Sequence, residues 1–231
     1  MTIDVGNTSV HFGLFAGEKL IKEWRTSADR LTNYKHADKV AVASVVPAAD
    51  KVLKKLFPHA LFVNSRNIPL KIRVKKPAEV GADRLVDALA ANKLYGGPAI
   101  IIDFGTATTF DVINQDGEYL GGAIAPGILL ARDTLHERTA KLPKIELKAP
   151  QSVIGRDTIE AMRSGLVFGY VAMVEGMVER MRLATRDSRL KVIATGGLAQ
   201  LICKYTDVID IIDDKLTLKG LRLTAELLSK K

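Results

Sequence analysis

Two short stretches of this 231-residue sequence set an aspartate, a glycine and hydroxyl side chains in the same order. The first, "TIDVGNTSVHFGLF", runs from Thr2 to Phe15, and the second, "IIIDFGTATTFD", runs from Ile100 to Asp111. A glycine turn after a strand can point backbone N–H groups and hydroxyls outward, where they can hold a phosphate. A carboxylate at the strand end can reach a metal ion that accompanies the phosphate. The two stretches therefore predict the phosphate chemistry that a bound nucleotide requires.

Each stretch, taken alone, is also compatible with an ordinary β-hairpin that carries a capping aspartate. Two matching copies at equivalent places favour a pair of phosphate turns, one per lobe, that grip a nucleotide from both sides of a cleft. Gly6 and Gly105 would let the backbone approach the phosphates closely, and hydroxyls are available at Thr8, Ser9, Thr106, Thr108 and Thr109. The sequence contains no Gly-x-x-x-x-Gly-Lys-Ser/Thr pattern, which excludes a P-loop.

A third glycine pair follows a different apolar run. Thr195, Gly196 and Gly197 come after "VIA" and before the apolar "LAQLI". Such a loop can lie against a purine or a ribose, but a strand-to-helix turn also uses glycine for its geometry alone. Both interpretations stay open.

The hydrophobic pattern around the two turns predicts the same strand–turn–strand unit twice. "TIDV" and "VHFGLF" flank "GNTS", and "AIIIDF" and "TFDVIN" flank "GTAT"; the turns "AGEKL" and "QDGEY" then lead into "IKEW" and "LGGAIA". Further strands are expected at "KVAVASVV", "ALFVN" and "LKVIATGG", with helices at "ADKVLKKLF", "GADRLVDALAANKLYG", "GILLARDTLHERTAKL", "RDTIEAMRSGLVFGYVAMVEGMVERMRLATR" and "LTLKGLRLTAELLSKK". This mixture predicts an α/β protein built by duplication, with lobes at residues 1–97 and 98–231 and a boundary near Gly97–Pro98.

Composition limits the classes of protein that need to be considered. The chain is 47% hydrophobic and 26% charged, and Cys203 is its only cysteine, which favours a folded protein of the reducing cytoplasm. No apolar run reaches the roughly 18 residues of a membrane helix, and no signal peptide is visible. The net charge of +8 suits either a nucleic-acid binder or an enzyme with anionic substrates. Because the basic residues are scattered, without interleaved aromatic residues, we expect no nucleic-acid partner. His11, His36, His59 and His136 lack metal-ligand spacing.

The ordered set "DVGNTS", "GADR", "DFGTATTFD", "GGAIAPG" and "TGG" resembles the type III pantothenate kinases. That family belongs to the acetate/sugar kinase–Hsp70–actin superfamily, and the resemblance extends from Thr2 to about Leu201. It implies two duplicated ribonuclease H-like lobes around a nucleotide cleft. It also implies ATP-dependent phosphorylation of the primary hydroxyl of pantothenate, the first step of coenzyme A biosynthesis. ATP with Mg²⁺, a monovalent cation (K⁺ or NH₄⁺) and a homodimer are implied as well.

The resemblance also implies a role for particular residues. The first phosphate turn over ATP would comprise Asp4, Val5, Gly6, Asn7, Thr8, Ser9, Val10 and His11, and Thr106 would bind the ATP phosphates. Gly81, Ala82, Asp83 and Arg84 would meet pantothenate, with Asp83 as the base that accepts the hydroxyl proton. Asp103 would bind the monovalent cation. Thr158 would contact pantothenate from the partner subunit, and the apolar stretch from Leu166 to Met181 is expected to form core or dimer contacts.

Other interpretations of these residues remain. Asp83 lies where a helix is expected to begin, so it could be an N-cap instead of a base. Arg84 could pair with a substrate carboxylate or with a neighbouring acid. Val74 stands where the family usually has a tyrosine that lines the pantothenate site.

The alternative functions are a non-catalytic nucleotide-binding or transcriptional accessory protein on the same fold, and another small-molecule kinase of the superfamily. The presence of Asp4, Asp83 and Asp103 favours an enzyme, because a binding module would not need all three acids.

Overall fold

The computed structural model describes residues 1–31 and 39–230, and these form two compact units. The first unit comprises Met1–Pro98, Ile113–Gly121 and the C-terminal segment from Lys215; the second comprises Ala99–Val112 and Gly122–Asp214. His36 lies outside the described residues.

The first unit contains a five-stranded sheet and three α-helices. Its strands are β1 (Thr2–Val5), β2 (Val10–Ala16), β3 (Lys19–Thr26), β4 (Ala41–Ser44) and β5 (Leu61–Phe62). Its helices are α1 (Pro47–Leu56), α2 (Ala82–Tyr95) and, from the end of the chain, α6 (Leu216–Ser229). Short 3₁₀ helices occur at Ala28–Arg30 and Pro77–Glu79.

The second sheet also has five strands. They are β6 (Ala99–Phe104), β7 (Ala107–Ile113), β8 (Tyr119–Pro126), β9 (Lys191–Thr195) and β10 (Ile211–Ile212). The helices between them are α3 (Ile128–Glu137), α4 (Thr158–Thr185) and α5 (Ala199–Ile202), with a 3₁₀ turn at Cys203–Tyr205.

The two sheets have the same strand order, which confirms the duplicated α/β architecture expected from the sequence. The first runs β3-β2-β1-β4-β5 and the second, in the same sense, β8-β7-β6-β9-β10. In each, the central strand precedes an Asp–x–Gly turn and pairs in parallel with the strand that follows a long connection, β4 or β9. The repeated sequence therefore occupies the same place in both sheets.

The alternation of residues along β1 determines which of its side chains enter the core. Ile3 and Val5 are buried among Val10, Phe12 and Leu53, and alternate residues of a strand point to opposite faces of the sheet. Asp4 therefore lies on the opposite face from these apolar side chains. The amphipathic α1 covers the apolar face through Ala49 and Leu53.

The helix α4 contributes to the core of the second unit at helical spacing. Leu166, Val167, Val171, Val174 and Val178 are buried in the cluster that also contains Ile100 and Ile102 of β6. Much of the apolar stretch from Leu166 to Met181 is therefore satisfied inside its own unit. The remaining face of α4 is exposed at Gly165, Gly169 and Ala172.

The C-terminal helix α6 belongs to the first unit, in contrast to the contiguous halves expected from the sequence. Leu216, Leu218 and Leu221 are buried, and a Cβ at Gly220 would overlap the carbonyl oxygen of Val86 in α2. The middle of α2, from Leu85 to Ala91, is buried all round. A helix that is buried on all sides needs cover beyond a single sheet, and α6 supplies part of that cover.

Candidate active site

The turn between β1 and β2 is closed by the backbone of its own residues. The N–H of Gly6 donates to the carbonyl oxygen of Ser9 at 3.1 Å, while Asn7 and Thr8 are exposed. The side chains of Val5 and Val10 are buried in the core. Of the expected nucleotide contacts in this stretch, those of the two valines would therefore have to come from their backbone atoms.

Asp4 carries the largest electrostatic perturbation in the first unit's candidate site. Burial, the larger cause, and the neighbouring charge of Asp83 together raise the pKa of its carboxyl to about 7, although Arg25 acts in the opposite direction. Burial opposes the charged form, and a second carboxylate nearby does the same. The fold therefore brings two of the three predicted aspartates together.

Asp83 is the second residue of α2 and does not cap that helix. The N-cap is Gly81, which provides no side-chain cap, so the N-cap interpretation of Asp83 is wrong. Its Oδ1 accepts a hydrogen bond from the backbone N–H of Arg84 at 2.9 Å. A Cβ at position 81 would overlap this Oδ1 atom. Gly81 therefore gives the carboxylate of Asp83 its space, and the neighbouring Ala82 is buried.

His11 makes a hydrogen bond that the sequence did not predict. Its side chain is buried, and its Nε2 lies 3.2 Å from Glu23 Oε2; Glu23 Oε1 accepts from Lys215 Nζ at 2.5 Å. Burial is the main cause that lowers the pKa of His11, and Lys215 is the main cause that lowers the pKa of Glu23. The imidazole, whose protonated form is disfavoured by burial, is thus held at the sheet face that carries Asp4.

The candidate site of the second unit is built from closely packed loops at the ends of its central strands. Asp103 lies at the end of β6, and a Cβ at Gly196, whose φ is +89°, would overlap Asp103 Oδ1. A Cβ at Gly127 would overlap the carbonyl oxygens of Gly105 and Thr106. The N–H of Gly127 donates to Thr106 O at 3.1 Å. The glycines of "DFGT", "APG" and "TGG" thus allow three backbone segments to meet around Asp103.

Thr158 is the first residue of α4 and lies exposed beside an apolar groove. The helix begins with a capping box, in which Asp157 Oδ1 accepts from Glu160 N at 2.8 Å and Glu160 Oε2 accepts from Arg156 N at 2.9 Å. The groove has a volume of about 430 Å³ and is lined by Leu135, Leu142, Thr158, Ala161, Met162, Gly165 and Leu166. Thr158 is thus the hydroxyl at the mouth of an otherwise apolar surface.

Residues 1–31 and 39–230, which the structure describes, contain neither a cluster of metal ligands nor a membrane-spanning helix. No three His, Cys, Asp or Glu side chains are grouped so that they could hold a metal ion among themselves. Within the same residues, no helix is long and apolar enough to cross a bilayer. Cys203 packs at the edge of the second core, and burial raises the pKa of its thiol to about 11.

Solved structures share the fold of this chain. A Campylobacter jejuni protein assigned to the Baf family of transcriptional activators has a TM-score of 0.72 and 19% identity, over 100% of this chain and 99% of that one. A Sinorhizobium meliloti protein assigned as a 2-dehydro-3-deoxygalactonokinase has a TM-score of 0.61 and 10% identity, over 98% and 95% of the two chains. The fold, two duplicated ribonuclease H-like lobes, is that of the acetate/sugar kinase–Hsp70–actin superfamily, as the sequence predicted.

Sequence comparison identifies the family within that superfamily. The family model of the type III pantothenate kinases matches residues 1–180. The type III pantothenate kinase of Moorella thermoacetica is 44% identical over 250 residues, which cover 98% of each chain. This chain therefore belongs to the type III pantothenate kinase family, and the resemblance seen in its motifs is confirmed.

Proposed function

We propose that this chain phosphorylates pantothenate to 4'-phosphopantothenate with ATP, the first step of coenzyme A biosynthesis. The observation that carries the proposal is the proximity of Asp4 and Asp83 in the first unit, where the charge of Asp83 acts on the carboxyl of Asp4. Phosphoryl transfer depends mainly on positioning and on neutralising charge. One carboxylate near the phosphates and one near the acceptor hydroxyl meet these two needs.

Asp83 is the proposed general base. Its carboxylate is held at the start of α2 by the N–H of Arg84 and occupies the space that a Cβ at position 81 would fill. From this position it accepts the proton of the pantothenate hydroxyl as the hydroxyl oxygen attacks the terminal phosphorus of ATP, and the bond from that phosphorus to the bridging oxygen breaks so that ADP leaves. Gly81, Ala82 and Arg84 complete the proposed pantothenate contacts. Arg84 and the N-terminus of α2 both favour the carboxylate of the substrate.

Asp4 and the turn that follows it are the proposed site of ATP with Mg²⁺. Asp4 is half-buried and its carboxyl group lies near Asp83, so its ionised form is disfavoured without a cation. A divalent ion would offset both effects, because hard cations prefer carboxylate oxygens. The turn residues Gly6, Asn7, Thr8, Ser9 and the backbones of Val5, Val10 and His11 would lie against the phosphates, as would Thr106. When bound, Mg²⁺ would neutralise the charge that develops on the phosphates.

Asp103 is the proposed site of the monovalent cation. The carbonyl oxygens of Gly105 and Thr106 face the position of Gly127, and Gly196 packs against the carboxylate itself. A carboxylate with backbone carbonyls close by is an oxygen-rich environment that suits K⁺ or NH₄⁺. A side chain at either glycine would fill the space that these groups need.

Oligomeric state, one substrate contact and cellular location complete the proposed function. We propose a homodimer in which Thr158 serves the pantothenate site of the partner subunit. Val74, which stands where the family usually has tyrosine, lies against Gly121 in the first unit, and its smaller side chain would leave one substrate contact unfilled. A cytoplasmic setting without nucleic-acid or membrane partners remains our expectation.

An ATP-dependent assay with pantothenate, in potassium and in sodium-only buffer, tests the proposed function. Mass spectrometry should show 4'-phosphopantothenate, with low turnover in sodium and recovery in potassium. Binding of ATP without turnover of pantothenate would favour the non-catalytic alternative. Turnover of another small hydroxylated molecule in its place would favour a different kinase of the superfamily. Equal rates in both buffers would contradict the cation site at Asp103.

A further inference from the structure

Strand β3 places a basic residue in line with the first phosphate turn. Asp4 on β1 lies directly opposite His11 on β2, and His11 lies directly opposite Arg25 on β3. Directly opposed residues of neighbouring strands point to the same face of the sheet. Asp4, His11 and Arg25 therefore form one row on the face that lies opposite the Ile3 core.

A bulge in the β2–β3 hairpin is what brings Arg25 to this face. Leu14 pairs with Lys22 and Phe15 pairs with Leu20, so Ile21 is the extra residue. A shift of one residue moves every side chain of a strand to the other face. With the bulge, Trp24 pairs with Phe12 and stacks on it, with ring centroids 5.0 Å apart and planes 5° apart. Trp24 is thereby directed to the core and Arg25 to the row that contains Asp4.

The guanidinium of Arg25 already reaches the phosphate turn. Its NH1 donates to Ser9 Oγ at 3.5 Å, a long hydrogen bond, and the residue is exposed. Its charge acts on both Asp4 and His11, lowering the pKa of each. The neighbouring acid of the same face, Glu23, is engaged by His11 and by Lys215. Arg25 therefore presents a positive charge beside the turn rather than a closed ion pair with Glu23.

We propose that Arg25 binds the phosphates of ATP at the β1–β2 turn, in place of or together with its hydrogen bond to Ser9. The inference deepens the proposed function and rests on it for the identity of the nucleotide. A guanidinium offers several N–H donors in a planar fork, which matches the oxygens of a phosphate. It also offsets negative charge at a place where the carboxylates of Asp4 and Asp83 would repel the nucleotide.

The test measures nucleotide binding and turnover in full-length Arg25→Ala and Arg25→Lys. Loss of a charged hydrogen bond of this kind corresponds to roughly a 10- to 100-fold change in an equilibrium constant. We expect Arg25→Ala to raise the Kd and KM for ATP by about this factor and to leave the KM for pantothenate unchanged. Adenosine, which has no phosphates, should bind to the wild type and to Arg25→Ala with the same Kd when binding is measured by calorimetry. The Kd of Arg25→Lys for ATP should lie between those of the wild type and Arg25→Ala, because lysine keeps the charge but lacks the planar fork of donors.

Lys22→Ala is the matched control. Lys22 is an exposed cation of the same strand, but it lies over the ring of Trp24 at 5.5 Å, on the other face. The Lys22→Ala substitution should leave the Kd for ATP at the wild-type value. An Arg25→Ala protein that binds ATP normally, even if its pH profile moves, would overturn the proposal; so would equal losses in Arg25→Ala and Lys22→Ala. A wild-type protein that binds ATP but ignores pantothenate would refute the proposed function alone, because the binding measurement would still test Arg25.

Discussion

The carboxylate of Asp83 acts on that of Asp4 and raises its pKa. Asp83 lies at the start of α2, and Asp4 lies in the central strand of the first sheet. The fold therefore brings together two acids that are 79 positions apart in sequence. Burial is the larger cause of the raised pKa of Asp4, and Asp83 is the second. This arrangement leads to predictions that separate the roles of the two acids.

The first prediction concerns Asp83→Asn. The amide keeps the shape of the side chain and can still accept from the N–H of Arg84, but it cannot accept a proton. We expect kcat to fall by about 10²- to 10⁴-fold, the range for loss of a general base. Thermal stability should change little, since Asp83 does not cap α2. Steady-state kinetics and a melting curve measure both effects, and normal turnover would show that another residue is the base.

The same variant should also alter the pH dependence of nucleotide binding. Removal of the negative charge at position 83 lowers the pKa of Asp4 from its value of about 7. Asp4 then ionises at lower pH, and Mg²⁺–ATP should bind to Asp83→Asn under more acidic conditions than to the wild type. Calorimetric titrations between pH 5 and pH 8 measure this directly. Superimposable pH profiles would contradict the coupling of the two acids.

The second prediction is that Asp4→Asn stabilises the free protein at neutral and alkaline pH. The pKa of Asp4 is raised from 3.8 to about 7 by folding, so the folded state retains a proton that the unfolded state loses. Stability is unaffected below the unfolded pKa, falls as the pH rises from about 4 to 7, and stays lower above that. Asparagine cannot ionise, so Asp4→Asn should raise the free energy of unfolding by on the order of 1–3 kcal/mol at pH 8.

Melting curves of the nucleotide-free protein at pH 4.5 and pH 8 test this. The Tm of the variant should exceed that of the wild type at pH 8 and approach it at pH 4.5. The variant should also lose most of its activity, because it lacks the proposed ligand of Mg²⁺–ATP. A lower Tm at pH 8 would show that Asp4 has a stabilising role in the fold.

The third prediction concerns the space that Gly81 leaves for Asp83. Its φ of −57° and ψ of 141° suit alanine, so Gly81→Ala should fold, yet its Cβ must displace the carboxylate of Asp83. We expect kcat to fall by roughly 10- to 100-fold, as for a misplaced catalytic group. A double-mutant cycle is the control: in the Asp83→Asn background the same substitution should cost almost nothing more. Additive losses would mean that Gly81 acts independently of Asp83.

The fourth prediction concerns the proposed homodimer. Since the apolar positions of α4 from Leu166 onward are largely buried in their own unit, we expect a partner to contact the exposed face of α4 with Gly165, Gly169 and Ala172. Ala172→Arg should therefore yield monomers by light scattering, with reduced activity if Thr158 serves the partner. Val52→Arg, on the exposed side of α1, should leave the dimer intact. A fully active wild-type monomer would refute the proposal.

The local parts of this fold could be predicted from the sequence, because they depend on short-range patterns. The alternation around "DVGNTS" and "DFGTAT" indicated both hairpins, and the helical spacing in "GADRLVDALAANKLYG" indicated α2. The apolar alternation cannot show where a C-terminal helix will pack, so the place of α6 in the first unit was missed. The two-residue strand β10 is too short to leave a periodic signal.

The row of Asp4, His11 and Arg25 was missed for a different reason. An unbulged hairpin through Gly17 and Glu18 would have placed Trp24 opposite His11, on the wrong face. The position of the bulge depends on the packing of Trp24 against Phe12, a contact across strands. The signal that could have revealed it is the alternation in "IKEWRT", where a tryptophan that prefers the core fixes the face of the arginine next to it.

The placement of α6 has a consequence for the order in which the chain acquires its structure during synthesis. Strands β1 to β5 and helix α2 leave the ribosome first, but the helix that covers α2 through Gly220 is translated after the whole of the second unit. The sequence of the second unit is therefore complete before that of the first, and the first must wait with part of α2 uncovered. The first unit, which holds the acids Asp4 and Asp83, is therefore complete only when α6 docks on α2, so that catalytic competence is acquired after residues 99–214 have been made.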